Sequence, residues 1–459
     1  MEEKNKLNRK QLILIGIVIL ILVVIVICFM IALKNTKSST INSNSIGKSA
    51  SDISSKYSNI GYNSSTDIDE ESIVKITDGG SYNLSGSYKN ITINTTKDVE
   101  LNLNEAEITC ESGPAIYVEN ADTVSIVLIG KNIITSYTTE DLDGAIYSKD
   151  DLLFSGTGSL EIKSNYDGIV SKDSLVINSG TYIINSDDDG IRGKDNVAIV
   201  DGTFTITAGG DGIKSTNEKD SSKGYVAIDG GIFNITSVND GIQAETELVI
   251  KGGKFTIKTT NTSSQDSSKG LKAGNLVEIN GGTFNLNTID DGIHSNGDIT
   301  LNNGDATIIS KDDGVHADGL VEINNGTFDI TAVEGIEGTY VKINGGTINI
   351  SASDDGINAA NKSNKYSVVV EISGGNITIK MGTGDTDGID SNGNLYINGG
   401  TINITCNSPF DYDGESKYTG GTIIVNGEET NTITNQMMGG GGPGGPGGRG
   451  GNQRPGRRY

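Results

Sequence analysis

Tryptophan is absent from this sequence, and its 459 residues include only three cysteines, two histidines and five prolines. The two histidines, His294 and His316, have no cysteine near them, which argues against zinc. Cys28 falls in an apolar run, while Cys110 and Cys406 sit near opposite ends of a long repetitive region. Coils stacked about 4.8 Å apart would hold those two far beyond the roughly 7 Å reach of a disulfide. Small core thiols are their expected role, and they say little about redox compartment. Helical patterning is missing as well, since no stretch after residue 34 sustains a 3.6-residue apolar period. The last deficit is positive charge, with 35 basic residues against 59 acidic, a net of −24. Lys4, Lys6, Arg9, Lys10, Arg449, Arg454, Arg457 and Arg458 lie near the ends, so the middle is more acidic still. Such a body repels nucleic acid and anionic lipid. Its natural partners are cations, or polyanions bridged by cations.

What is present begins with Leu12 to Leu33, an uncharged run interrupted only by Gly16. At about 1.5 Å per residue it spans a hydrocarbon core of roughly 30 Å. The four basic residues before it, against Lys34 and Lys37 after it, favour a cytoplasmic N-terminus. A cleaved signal peptide would have a shorter apolar region and a small-x-small site, and a lipoprotein would place a small residue, not Ile27, before Cys28. The expected organisation is therefore a cytoplasmic stretch 1–11, a single-pass transmembrane signal anchor 12–33 and a flexible Ser/Asn/Lys-rich spacer 34–72. A repetitive extracellular domain 73–432 and a Gly/Pro/Arg-rich disordered tail 433–459 follow.

The repeat dictates the fold. Glycines at 168, 190, 212, 241, 270, 292, 314, 335, 356 and 388, each followed by an aliphatic residue, recur every 21–22 residues apart from polar insertions. Within a unit the apolar residues alternate. One short strand reads V-x-I, as in Val197/Ile199 and Val226/Ile228, and another reads F-x-I, as in Phe204/Ile206 and Phe233/Ile235. A third is the stub after Gly-Ile. Three short strands and three turns in about 22 residues describe one coil of a right-handed parallel β-helix. Its coils must stack because none buries its apolar face alone. The phenylalanines then form an internal ladder. Corners such as Asn280–Thr283, Asn344–Thr347 and Asn398–Thr401 supply positive-φ glycine and stackable asparagines. A β-propeller would need blades of about 40 residues or more.

The residue before the aligned glycine is acidic in nearly every coil, and in several the residue before that is too. This column contains Asp188, Asp189, Asp211, Asp240, Asp290, Asp291, Asp312, Asp313, Asp354, Asp355 and Asp387. Asp-Gly is a good turn by itself. Stacked carboxylates about 4.8 Å apart nevertheless repel by roughly 0.9 kcal/mol even at the dielectric of water. Neutralisation by Ca²⁺, which takes about six to eight oxygen ligands, fits the column. Two residues after the glycine come Arg192, Lys214, Lys272, His294 and His316, expected to face outward beside the acids. They suit a ligand with repeated carboxylates, or they pair with the aspartates. The pattern alone leaves both readings open.

The D-D-G-I repeats, N-G-G-T corners, N-terminal anchor and Gly/Pro-rich tail resemble bacterial surface proteins of the calcium-binding, carbohydrate-binding parallel β-helix type. Those proteins are pectate-lyase-like in fold and of the polygalacturonate-binding kind. The resemblance covers roughly residues 75 to 430 and implies calcium at the aspartate column with acidic polysaccharide or cell-wall glycan on that face. The lack of tryptophan suits a charged ligand better than crystalline cellulose. A non-catalytic, monomeric binding module is the expected function. A calcium-dependent polysaccharide lyase with Lys214 or Lys272 as base is the alternative. A structural spacer or adhesin is a further one. A glycosidase is weaker, since its carboxylate pair would not stand out here.

Overall fold

The structure, a computed structural model, describes residues 49–62, 64–69, 73–262, 267–384 and 386–435. The expected cytoplasmic stretch, the anchor at 12–33, the first part of the spacer and nearly all of the tail lie outside the described residues. Among the described residues no helix is long and apolar enough to cross a membrane.

Alternation of apolar and polar residues produces short strands with one buried face. A typical coil contributes Ile191–Gly193, Asn196–Ile199 and Thr203–Ala208. Each lies parallel to its counterpart in the next coil, with Ile191 opposite Ile213, Val197 opposite Val226 and Phe204 opposite Phe233. Repeated along the chain, this pairing makes an all-β protein with one long parallel sheet, the arrangement of a β-helix solenoid. The last pair of strands, Thr422–Val425 and Glu428–Thr430, is antiparallel and folds back on the final coil.

The interior is a set of residue columns. Tyr182, Phe204, Phe233, Phe255 and Phe284 stack face to face at 4.7–5.0 Å between centroids, fully inside the coil. Ala306 takes the next position and ends the stack before Phe328. At one corner, Asn302, Asn324 and Asn344 each donate through Nδ2 to the Oδ1 of the asparagine one coil earlier, at 2.7–2.8 Å. Two kinds of glycine make the coils fit. Gly282 has φ +112°, which L side chains rarely adopt. Gly212 is required by proximity, because a Cβ there would lie 2.5 Å from the Gly241 carbonyl oxygen and 2.4 Å from Ile235 Cγ2.

The expected spacer differs from the fold over its second half. Helix α1, Ala50–Ser55, buries Ala50 and Ile53 against Leu153, Val176, Ala198, Tyr225 and Ala227. Asp229 holds its N-terminus, accepting from the backbone N–H of Ala50 at 3.1 Å and of Ser51 at 2.9 Å and from Ser49 Oγ at 2.8 Å. A carboxylate is favourable there because the first N–H groups of a helix lack intrahelical partners. Ser65–Ile68 then pairs in parallel with Ser81–Leu84, so the sheet begins before residue 73. The reason is local: the wall under α1 carries small apolar side chains that an isolated spacer would leave wet.

Candidate binding face

The strands that follow the aligned glycines place one side chain per coil on a common line. In register these are Tyr117, Tyr147, Val170, Arg192, Lys214, Gln243, Lys272, His294, His316, Glu337, Asn358, Asp390 and Asp411. The line starts aromatic, becomes basic and ends acidic. The outward exposure expected for these positions holds only in part, because Val170, His294, Glu337 and Asn358 are buried. The acids and bases of the face fold onto one another and seal it.

The acidic column runs alongside and is largely buried, with Asp167, Asp189, Asp211, Asp240, Asp291 and Asp313 all among the sealed residues. Burial is possible because one carboxylate oxygen of Asp167, Asp189, Asp211, Asp240 and Asp291 accepts a backbone N–H from the next coil. Asp189 N–H donates to Asp167 Oδ1 at 2.9 Å, Asp211 N–H to Asp189 Oδ1 at 2.8 Å and Asp240 N–H to Asp211 Oδ1 at 2.8 Å. Lys269 N–H does the same for Asp240, Asp313 N–H for Asp291 and Asp387 N–H for Asp355. The aspartates therefore serve as a hydrogen-bonded spine with one oxygen left to spend.

In the middle coils that oxygen meets a base. Arg192 forks between Asp143 and Asp167, with Nε 2.6 Å from Asp167 Oδ2. Lys214 Nζ lies 2.6 Å from Asp211 Oδ2, Lys272 Nζ 3.3 Å from Asp240 Oδ2 and His294 Nδ1 2.8 Å from Asp291 Oδ2. His316 Nδ1 lies 3.1 Å from Asp313 Oδ2. Lys269, which the sequence pattern passed over, stands in the aspartate slot of its coil and reaches Asp290 Oδ2 at 2.5 Å. Its position before Gly270 was the available signal. Burial pushes the Asp167 carboxyl up to about 7, Arg192 only partly offsetting it. Burial alone would lower Lys214, but Asp211 and Asp189 outweigh it and hold its ammonium well above the ordinary value.

Two clusters bring the expected metal ligands together. Carboxylate oxygens of Asp167, Asp188 and Asp189 lie within 4.8 Å of one another, and so do those of Asp290, Asp291 and Asp312. Each cluster also has a basic neighbour, Arg192 in the first and Lys269 in the second. Asp211 and Asp240 are engaged by lysines as above. The last coils are different. Among the described residues no basic side chain pairs with Asp355 or Asp390. Burial, reinforced by Asp390, Glu334 and Asp354, pushes Asp355 up to about 8. Burial together with Asp411, Asp387 and Asp413 pushes Asp390 up to about 7. Glu334 is likewise raised to about 7 by burial and by Glu337, although Asn358 Nδ2 donates to it at 2.9 Å.

A family model described as carbohydrate-binding domain-containing protein matches residues 70–314 and 310–437. A carbohydrate-binding domain-containing protein of Acetivibrio thermocellus is 34% identical over 119 residues. That match spans 23% of this chain and 42% of the relative, so less than half of the relative's length is covered. Among solved structures, the polysaccharide lyase-like protein from C. thermocellum, a gadolinium derivative, aligns at 27% identity with a TM-score of 0.39. The alignment covers 50% of this chain and 87% of that one. By the extent of the family match, the chain belongs to the carbohydrate-binding domain-containing protein family.

Proposed function

We propose that the protein is a surface-anchored module that binds acidic polysaccharide through calcium and does not cut it. The observation that carries this reading is the change of partner along one face. Bases neutralise the aspartates of the middle coils, whereas among the described residues no basic side chain pairs with Asp355 or Asp390, which accept only from the Asp387 N–H and from Asn392 Nδ2 and the Ser391 N–H respectively. Half-buried carboxyls raised first by burial and then by one another favour a hard cation, and oxygen donors of this kind are what Ca²⁺ takes. Asp355 and Asp390 would contribute oxygens to it. A calcium ion so held presents its remaining coordination positions outward, where a uronate carboxylate can complete them. A solenoid wall repeats about every 4.8 Å, close to the length of one sugar unit, so successive coils can meet successive sugars. The anchor at Leu12 to Leu33 would display this face at the cell surface.

The absence of cutting follows from the bases. Abstraction of the proton next to a uronate carboxylate needs an amine with a depressed pKa. Lys214 has a raised one and is tied to Asp211 at 2.6 Å. Lys272 Nζ is occupied by an ion pair to Asp240 Oδ2 at 3.3 Å. Titration of the protein with polygalacturonate should show heat of binding with calcium and none in chelator. Asp355→Asn with Asp390→Asn should abolish it. An unsaturated, ultraviolet-absorbing product would instead establish a lyase. Calcium binding with no uronate binding would leave a rigid spacer.

A further inference from the structure

We propose that Asp291, His294 and His316 form a site for a borderline divalent cation of the zinc class, separate from any calcium on the acidic coils. The chain's two histidines occupy the same line in consecutive coils, where single long bases stand elsewhere. Both turn Nδ1 to one oxygen, Asp291 Oδ2, at 2.8 Å for His294 and 3.6 Å for His316. Asp313 Oδ2, 3.1 Å from His316 Nδ1, borders the same point. One ligand atom from each of Asp291, His294 and His316 lies within 4.8 Å of the other two. Donors held tetrahedrally at about 2.0–2.1 Å from zinc are about 3.3 Å apart, so these spacings bracket the required ones.

The surroundings orient His294 as metal-bound imidazoles are oriented, with its other ring nitrogen hydrogen-bonded. His294 Nε2 is 2.8 Å from Asn296 Oδ1. His316 Nε2 is sealed from solvent without a hydrogen bond and lies 3.3 Å from Glu337 Oε2. Asp291 is fixed through Oδ1, which accepts the Asp313 N–H at 3.1 Å. Lys269 Nζ leans to Asp290 Oδ2 at 2.5 Å and also lies 3.7 Å from Asp291 Oδ2, so an arriving cation would turn it further toward Asp290. Two imidazole nitrogens select zinc, cobalt or nickel over calcium, which takes oxygen donors.

Cobalt(II) added to the full-length protein should bind at one equivalent with the intense visible absorption of a tetrahedral ion. One equivalent of zinc should displace it, and excess calcium should not. His294→Gln combined with His316→Lys should weaken cobalt binding by more than about 100-fold, and Asn296→Ala by about 10–100-fold. Lysine is chosen at 316 because Lys214 and Lys272 already fill equivalent positions, so the buried acids keep a cation. Absence of cobalt binding, displacement by calcium, or unchanged affinity in the double variant would each overturn the proposal.

Discussion

Phe233 illustrates how a single residue supports this fold. It is fully buried between Phe204 and Phe255, 4.8 and 4.7 Å away and nearly parallel to both. Phe233→Ala removes two stacking contacts and opens a cavity that flanking coils cannot close without losing register. The expected cost is about 3–5 kcal/mol, read by denaturant unfolding and by faster hydrogen exchange in the neighbouring coils. Titration is a second matter of single residues. Asp355, Asp390 and Glu334 have folded-state values of about 8, 7 and 7, above their ordinary ones. The folded chain then holds protons that the unfolded chain has released. Stability from these groups is present below the ordinary carboxylate range, near pH 4, and is lost as pH rises to about 8. Melting temperature without divalent ions should therefore fall between about pH 5 and about pH 8 through these groups. Asp355→Asn with Asp390→Asn should flatten that fall, and a slope unchanged in the variant would assign it to other groups.

At the scale of elements, α1 acts as a clasp. Its partners Val176, Ala198 and Ala227 are the middle residues of V-x-I strands, positions that point away from the core. Elsewhere the same position holds Glu278, Glu322, Lys342 or Glu371. The apolar character of these few coils was thus visible in the sequence, but what covered them was not. Asp229→Ala should leave the helix N-terminus uncapped, and Ile53→Ser should remove its apolar anchor. Either change should open 49–62 to limited proteolysis while the β signature of the circular dichroism spectrum persists. Capping residues of this kind are worth roughly 0.5–2 kcal/mol. The insertions are tied down in the same manner. Asn217 Nδ2 donates to Asp195 Oδ1 at 2.6 Å, and Lys365 and Tyr366 converge on Asp298 at 2.5 and 3.0 Å.

For the whole molecule the controlling fact is that coils contact chiefly their neighbours, so stability is close to a sum along a line. A cation bound beside Asp355 and Asp390, which no basic side chain pairs among the described residues, would strengthen that part of the line. Millimolar calcium should raise the melting temperature, and chelator should lower it. One site saturated at one hundred times Kd adds about 2.7 kcal/mol. An identical melting curve in calcium and in chelator would remove calcium from the account. Because chain sections can melt separately, calorimetry should show the gain concentrated in one transition and not spread over all.

The sequence by itself determined the coil, its length, its inward aromatic and asparagine columns and the existence of an acidic line beside a basic one. A repeat prints each of these as a fixed spacing, and stacking turns a spacing into a neighbour. Tertiary structure alone decided what those lines do to each other. Whether Lys214 faces a ligand or Asp211 depends on a side-chain direction that spacing does not encode, and the result is an ion pair at 2.6 Å. The two histidines counted as too few ligands when read in isolation. Folding adds Asp291, three residues from one of them and a coil away from the other, to the same point. The docking of α1 required the same step, since Ser49 and Asp229 are 180 residues apart and meet only when the wall exists. Short-range chemistry was legible because the solenoid repeats it. Contacts made once, between elements that do not repeat, leave no period to read.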